Sequence, residues 1–109
     1  MDKLIVWKDR ANPVYIQLSK LGAVLTAEEM AAITKAELKY SGVYYDSTAH
    51  PTAFDLTTIA AEGKIIIKPG LLEWTAGADI AELIIYDSVN TEGIMWMQIR
   101  ITVKDDAIK

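Results

Sequence analysis

The sequence predicts an all-β fold, two antiparallel sheets packed as a sandwich or closed as a barrel, with one short helical turn. Three observations predict it. Apolar and polar residues alternate along several short segments, which is the period of a half-buried strand. Turn residues separate those segments at roughly regular spacing. No long segment of helical period intervenes between strands, as a parallel α/β sheet would require. The chain has 109 residues, of which 51% are hydrophobic and 24% charged. That is the composition of one globular domain over 1–109, and a chain of this size buries about 65% of its unfolded surface.

The first strand is the β-rich stretch Leu4 to Trp7. In the second, Val14, Ile16 and Leu18 alternate with Tyr15, Gln17 and Ser19. Thr26-Ala27-Glu28-Glu29 then fits a capping box, in which the Thr26 hydroxyl accepts from the Glu29 amide and the Glu29 side chain reaches back. Leu25 and Met30 sit where a hydrophobic staple packs, and β-branched Ile33 and Thr34 end the helix after one or two turns. Ala36, Leu38 and Tyr40 form the inward side of the next strand, against Lys35, Glu37 and Lys39. Short strands are expected at 43–46 and 52–57, on either side of the turn Thr48-Ala49-His50-Pro51. Lys64 to Lys68 holds three consecutive isoleucines before Pro69-Gly70, which suits a short strand covered on both sides.

Two longer strands close the chain. Ala78 to Tyr86 places Ala81, Leu83 and Ile85 on one face and Ile80, Glu82, Ile84 and Tyr86 on the other. From 95 to 104, Met95, Met97, Ile99, Ile101 and Val103 point inward, and Trp96, Gln98, Arg100, Thr102 and Lys104 outward. If the two form a hairpin, facing residue numbers must sum to an even value. A sum of 182 sets Glu82 opposite Arg100 and Tyr86 opposite Trp96, which are favourable cross-strand pairs. A sum of 180 keeps the faces but loses those pairs, so 182 is the expected register, with a loop over 88–93.

The net charge of −4 and dispersed basic residues argue against a nucleic-acid partner, whose phosphates demand clustered Lys and Arg. No apolar run reaches the ~18 residues of a membrane span, and no signal peptide is expected. Cysteine is absent and His50 is the only histidine. Ser47 beside His50 makes no triad, so no catalytic residue is expected. Asp46, His50 and Asp55 match no metal-ligand template, and Asp87, Asn90 and Glu92 lack the ligand rhythm of a calcium loop. Glu28-Glu29 suits a helix N-terminus and Asp105-Asp106 a polar tail; neither is a glycosidase pair. The single glycines form no phosphate loop. Neither cofactor nor metal is expected. What remains is an apolar excess on faces that should be wet. Trp7, Tyr15, Ile84, Tyr86 and Trp96, with Arg100, are the candidate contact surface, unless a neighbouring segment covers them.

Six stretches in order carry a resemblance: Asn12-Pro13-Val14-Tyr15-Ile16-Gln17-Leu18, Leu25-Thr26 to Ile33, Thr34 to Leu38, Gly63-Lys64-Ile65-Ile66-Ile67, Gly77 to Asp87, and Gly93-Ile94-Met95-Trp96. Together, from about Asn12 to Val103, they resemble small immunoglobulin-like β-sandwich modules in structural proteins of tailed bacteriophages and prophages. The N-terminal module of phage baseplate upper proteins is similar. The resemblance implies an immunoglobulin-like two-sheet sandwich and a non-enzymatic part in virion assembly, attachment or host contact. It implies protein partners, either other virion proteins or a second copy, and a virion component made in the host cytoplasm. It supplies no functional residues, and no fibre or receptor-binding extension is expected after the last strand. The alternative for the same exposed aromatics is a carbohydrate-binding or adhesion module, since Trp and Tyr on a sheet stack against sugar rings.

Overall fold

A computed structural model describes residues 2–7, 13–69, 72 and 77–104. The chain is mostly strand: β1 (Asp2–Trp7), β2 (Val14–Gln17), β3 (Ser19–Lys20), β4 (Ala23–Val24), β5 (Ile33–Tyr40), β6 (Val43–Asp46), β7 (Phe54–Asp55), β8 (Lys64–Ile67), β9 (Gly77–Asp87) and β10 (Ile94–Lys104). The helix α1 (Ala27–Ala31) and a 3-10 turn at Ala60–Glu62 complete it. A five-stranded sheet runs in the order β1-β10-β9-β5-β6, and a three-stranded sheet in the order β2-β8-β7; β3 and β4 form a separate hairpin. Pairing is antiparallel except that β1 runs parallel to β10. The expected all-antiparallel arrangement is therefore corrected at that edge. The first and last strands share no connecting loop, so no hairpin forces them antiparallel.

The alternation sets the core. Ala36 and Leu38 of β5, Ala81, Leu83 and Ile85 of β9, and Ile99, Ile101 and Val103 of β10 are buried on one face of the large sheet. Ile16 of β2, Phe54 of β7, and Ile65 and Ile67 of β8 belong to the same hydrophobic cluster, so both sheets contribute to one core. Ile66 is buried as well, which makes β8 the doubly covered strand expected of three consecutive isoleucines.

The capping box forms as expected. Glu29 N–H donates to Thr26 Oγ1 at 3.2 Å and Thr26 N–H to Glu29 Oε1 at 3.0 Å, with Leu25 and Met30 buried beside them. The second strand is shorter than its alternation suggests. Leu18 leaves the β2 ladder to bond Gly63 and Leu25 through its backbone, and a β3–β4 hairpin follows through Leu21 and Gly22, both at positive φ (53° and 81°). That is the signature of a type I′ turn. The expected strand over 52–57 is reduced to Phe54–Asp55, because the Asp55 carboxylate captures the Thr57 and Thr58 amides at 3.0 Å.

The β9–β10 register differs from the expected one. Met97 faces Leu83, Gln98 faces Glu82 and Arg100 faces Ile80, a sum of 180. Beyond a bulge between Met95 and Met97 the pairing becomes Met95 with Ile84 and Ile94 with Ile85. The pairs that favoured 182 are supplied from the other side. Glu82 meets Lys39 of β5 (3.8 Å), and Tyr86 lies under the Lys35 ammonium of β5 (4.3 Å). A central strand has two neighbours, and here β5 satisfied what β10 was expected to.

Candidate functional site

The outer face of the five-stranded sheet can be built row by row from the registers. Lys3, Arg100 and Ile80 form one row, and Ile5, Thr102 and Ala78 the next. Gln98, Glu82, Lys39 and Tyr44 cross the sheet beside them, followed by Met95, Ile84, Glu37 and Asp46. Tyr86 and Lys35 lie beyond. Charged and apolar side chains are interleaved throughout.

The six residues expected to form a contact surface do not gather into one patch. Ile84 and Tyr86 lie together on β9, but both are half-buried. The backbone of Gly93 folds onto them so closely that a Cβ there would stand 2.7 Å from each side chain. The Tyr86 hydroxyl donates to Glu37 Oε1 at 2.8 Å, which serves a carboxylate that is only 7% exposed. That hydrogen bond, aided by burial, holds the Tyr86 phenol above its usual range. Arg100 is exposed on β10 between Lys3 and Ile80. Trp7 is exposed at the far end of β1, with the Lys104 ammonium 5.6 Å from its ring. Tyr15 is open to solvent, but on β2, in the other sheet.

Trp96 is the clear correction. The bulge removes it from the outward row, and it packs half-buried against the core while Met95 becomes exposed. Trp96 also lines a groove of about 510 Å³ with Leu25, Ile33 and Ile94, between α1 and the β9–β10 loop. The carboxylates on its rim serve the protein's own backbone. Glu29 completes the capping box. Asp87 accepts from the Val89 and Asn90 amides at 2.9 and 2.6 Å, and these bonds hold its carboxyl below the usual range.

The candidates for chemistry are likewise engaged in turns. Asp46 accepts from the Thr48 and Ala49 amides, and Asp55 from the Thr58 hydroxyl and the Thr58 and Thr57 amides, which together hold the Asp55 carboxyl below its usual range. His50 lies against Tyr45, with ring centroids 5.7 Å apart. Among the described residues no group of three His, Asp or Glu side chains converges as metal ligands would. Asp105 and Asp106 lie outside the described residues.

Sequence reasoning missed the residues most open on this face: Ile5 (53%), Tyr44 (54%) and Met95 (52%), with Ile80 at 37%. Ile80 had a signal, since it lies on the outward side of the alternating strand from Ala78 to Tyr86. Met95 had none, because its exposure depends on the bulge. A scan against models of known protein families and a search of curated proteins find no match to this chain.

Proposed function

We propose that the chain is an immunoglobulin-like β-sandwich serving as a non-enzymatic structural component of a phage or prophage particle, through protein–protein contacts. The strand order supports the fold. The chain passes from β1 to β2 in the other sheet, returns for β5 and β6, crosses again for β7 and β8, and returns for β9 and β10. From β2 onward this is the order in which an immunoglobulin-type sandwich fills its two sheets. With no cysteine, the common core holds the sheets in place of an inter-sheet disulfide.

The observation that carries the contact role is the outer face of the large sheet. Ile5, Ile80, Met95 and Tyr44 stand open among Lys3, Arg100, Glu82 and Lys39. Apolar side chains set among charges match the mixed character of a non-obligate protein interface. A sugar platform is less favoured, because Trp7 and Tyr44 lie on opposite edge strands of the sheet. The test is to tag the chain in its bacterial host, induce particle formation, and fractionate particles on a density gradient. The chain is expected to travel with the particles, and an Ile80→Glu/Met95→Glu variant to be lost from them while remaining folded. Particles that form without the chain, or retention of the variant, would overturn the proposal.

A further inference from the structure

β1 is an outermost strand of the five-stranded sheet, and among the described residues no strand pairs with its outer side. Such an edge leaves a row of backbone donors and acceptors open to another chain, and natural sheets blunt it with short, kinked or charged strands. β1 is six residues long, and Ile5 and Trp7 are 53% and 40% exposed. Leu4 is half-buried beside a narrow gap between the sheets, lined also by Val14, Ile16, Ile67 and Ile99. The opposite edge strand, β6, has four residues and ends in the Asp46 turn.

We propose that β1 pairs antiparallel with β1 of a second copy, in a register centred on Ile5, so that two large sheets become one. The proposal names a partner for the contact role above and rests on that reading. Antiparallel strands keep their faces only when facing residue numbers have an even sum. A sum of ten sets Lys3 against the partner's Trp7, Leu4 against the partner's Val6, and Ile5 against the partner's Ile5. The contact is isologous, with its two-fold axis at Ile5. On the core side Val6 is already fully buried within its own protomer, so the new contact falls on the outer face. On the outer face, the two exposed Ile5 side chains bury each other. The Lys3 ammonium meets the partner's indole, the kind of contact Lys104 makes with Trp7 within the chain. A sum of eight would drop Trp7 from the pairing and set Asp2 against Val6.

The absence of cysteine makes the test clean. Directly opposed residues have Cβ atoms about 4.5–5.5 Å apart, within a small shift of disulfide geometry. Ile5→Cys is therefore expected to form a disulfide dimer under mild oxidation. In Lys3→Cys the two thiols lie four residues apart along the strands, about 13 Å, so crosslinking should be at least roughly tenfold slower. The double variant Lys3→Cys/Trp7→Cys restores it. In sedimentation equilibrium the unmodified chain should dimerise with concentration. Ile5→Lys should weaken dimerisation at least about tenfold without lowering the Tm measured at concentrations where the unmodified chain is monomeric, since residue 5 is exposed in the single chain. Equal crosslinking of the two single variants, or an unmodified chain that stays monomeric, would overturn the pairing. A monomer that still joins particles would remove the pairing and leave the particle role, whereas a dimer absent from particles would do the reverse.

Discussion

Glu37 shows how one residue's environment depends on a distant one. By alternation it belongs to the wet side of β5, yet it is only 7% exposed and its carboxylate accepts from the Tyr86 hydroxyl, 49 positions away. Tyr86→Phe removes that donor and leaves a buried carboxylate short of a partner. The expected cost is about 1–3 kcal/mol by urea denaturation. The pH dependence has a definite sign. A phenol whose folded pKa is raised contributes stability below its ordinary pKa of about 10 and loses it as pH rises through the folded value. The unmodified protein should therefore lose stability above about pH 10. Tyr86→Phe should be weaker below that pH and should lose less above it.

Among the elements, the β3–β4 hairpin and the β10 bulge departed most from the alternation. The hairpin turns through Leu21 at φ 53°, with the leucine side chain 99% exposed. A β-carbon in left-handed backbone costs about 1 kcal/mol, and a type I′ turn prefers Asn-Gly. Leu21→Asn is expected to raise stability by up to about 1 kcal/mol, seen as a higher urea midpoint at unchanged slope. A lower midpoint would show that Leu21 makes a contact worth more than the strain. The capping box was legible because all its partners lie within four residues. The bulge was not, because it reconciles the β9–β10 pairing with a tight loop and with Trp96 packing on the core. Those demands come from different parts of the chain, and no local pattern records them.

At the scale of the whole molecule, stability depends on two sheets sharing one core without a covalent link. Leu38 is 1% exposed and belongs to the cluster that spans both sheets. Leu38→Ala should cost about 2–5 kcal/mol, measured by chemical denaturation, with a single transition if the two sheets unfold together. Two transitions would mean separate cooperative units. The sequence by itself determined the all-β class, the inward sets of β5, β9 and most of β10, the capped helix and the double burial of β8. All of these follow from periods and spacings within single segments, where a side chain's direction is set by its own backbone. Only the tertiary structure decided the parallel docking of β1, the β9–β10 register, the burial of Trp96 and the exposure of Met95. It also decided which outward residues stay open: Ile5 and Ile80 do, while Ile84 and Tyr86 are covered by Gly93. Register and cover are set by neighbours far away in sequence, and β9, flanked on both sides, could satisfy Glu82 and Tyr86 from either one.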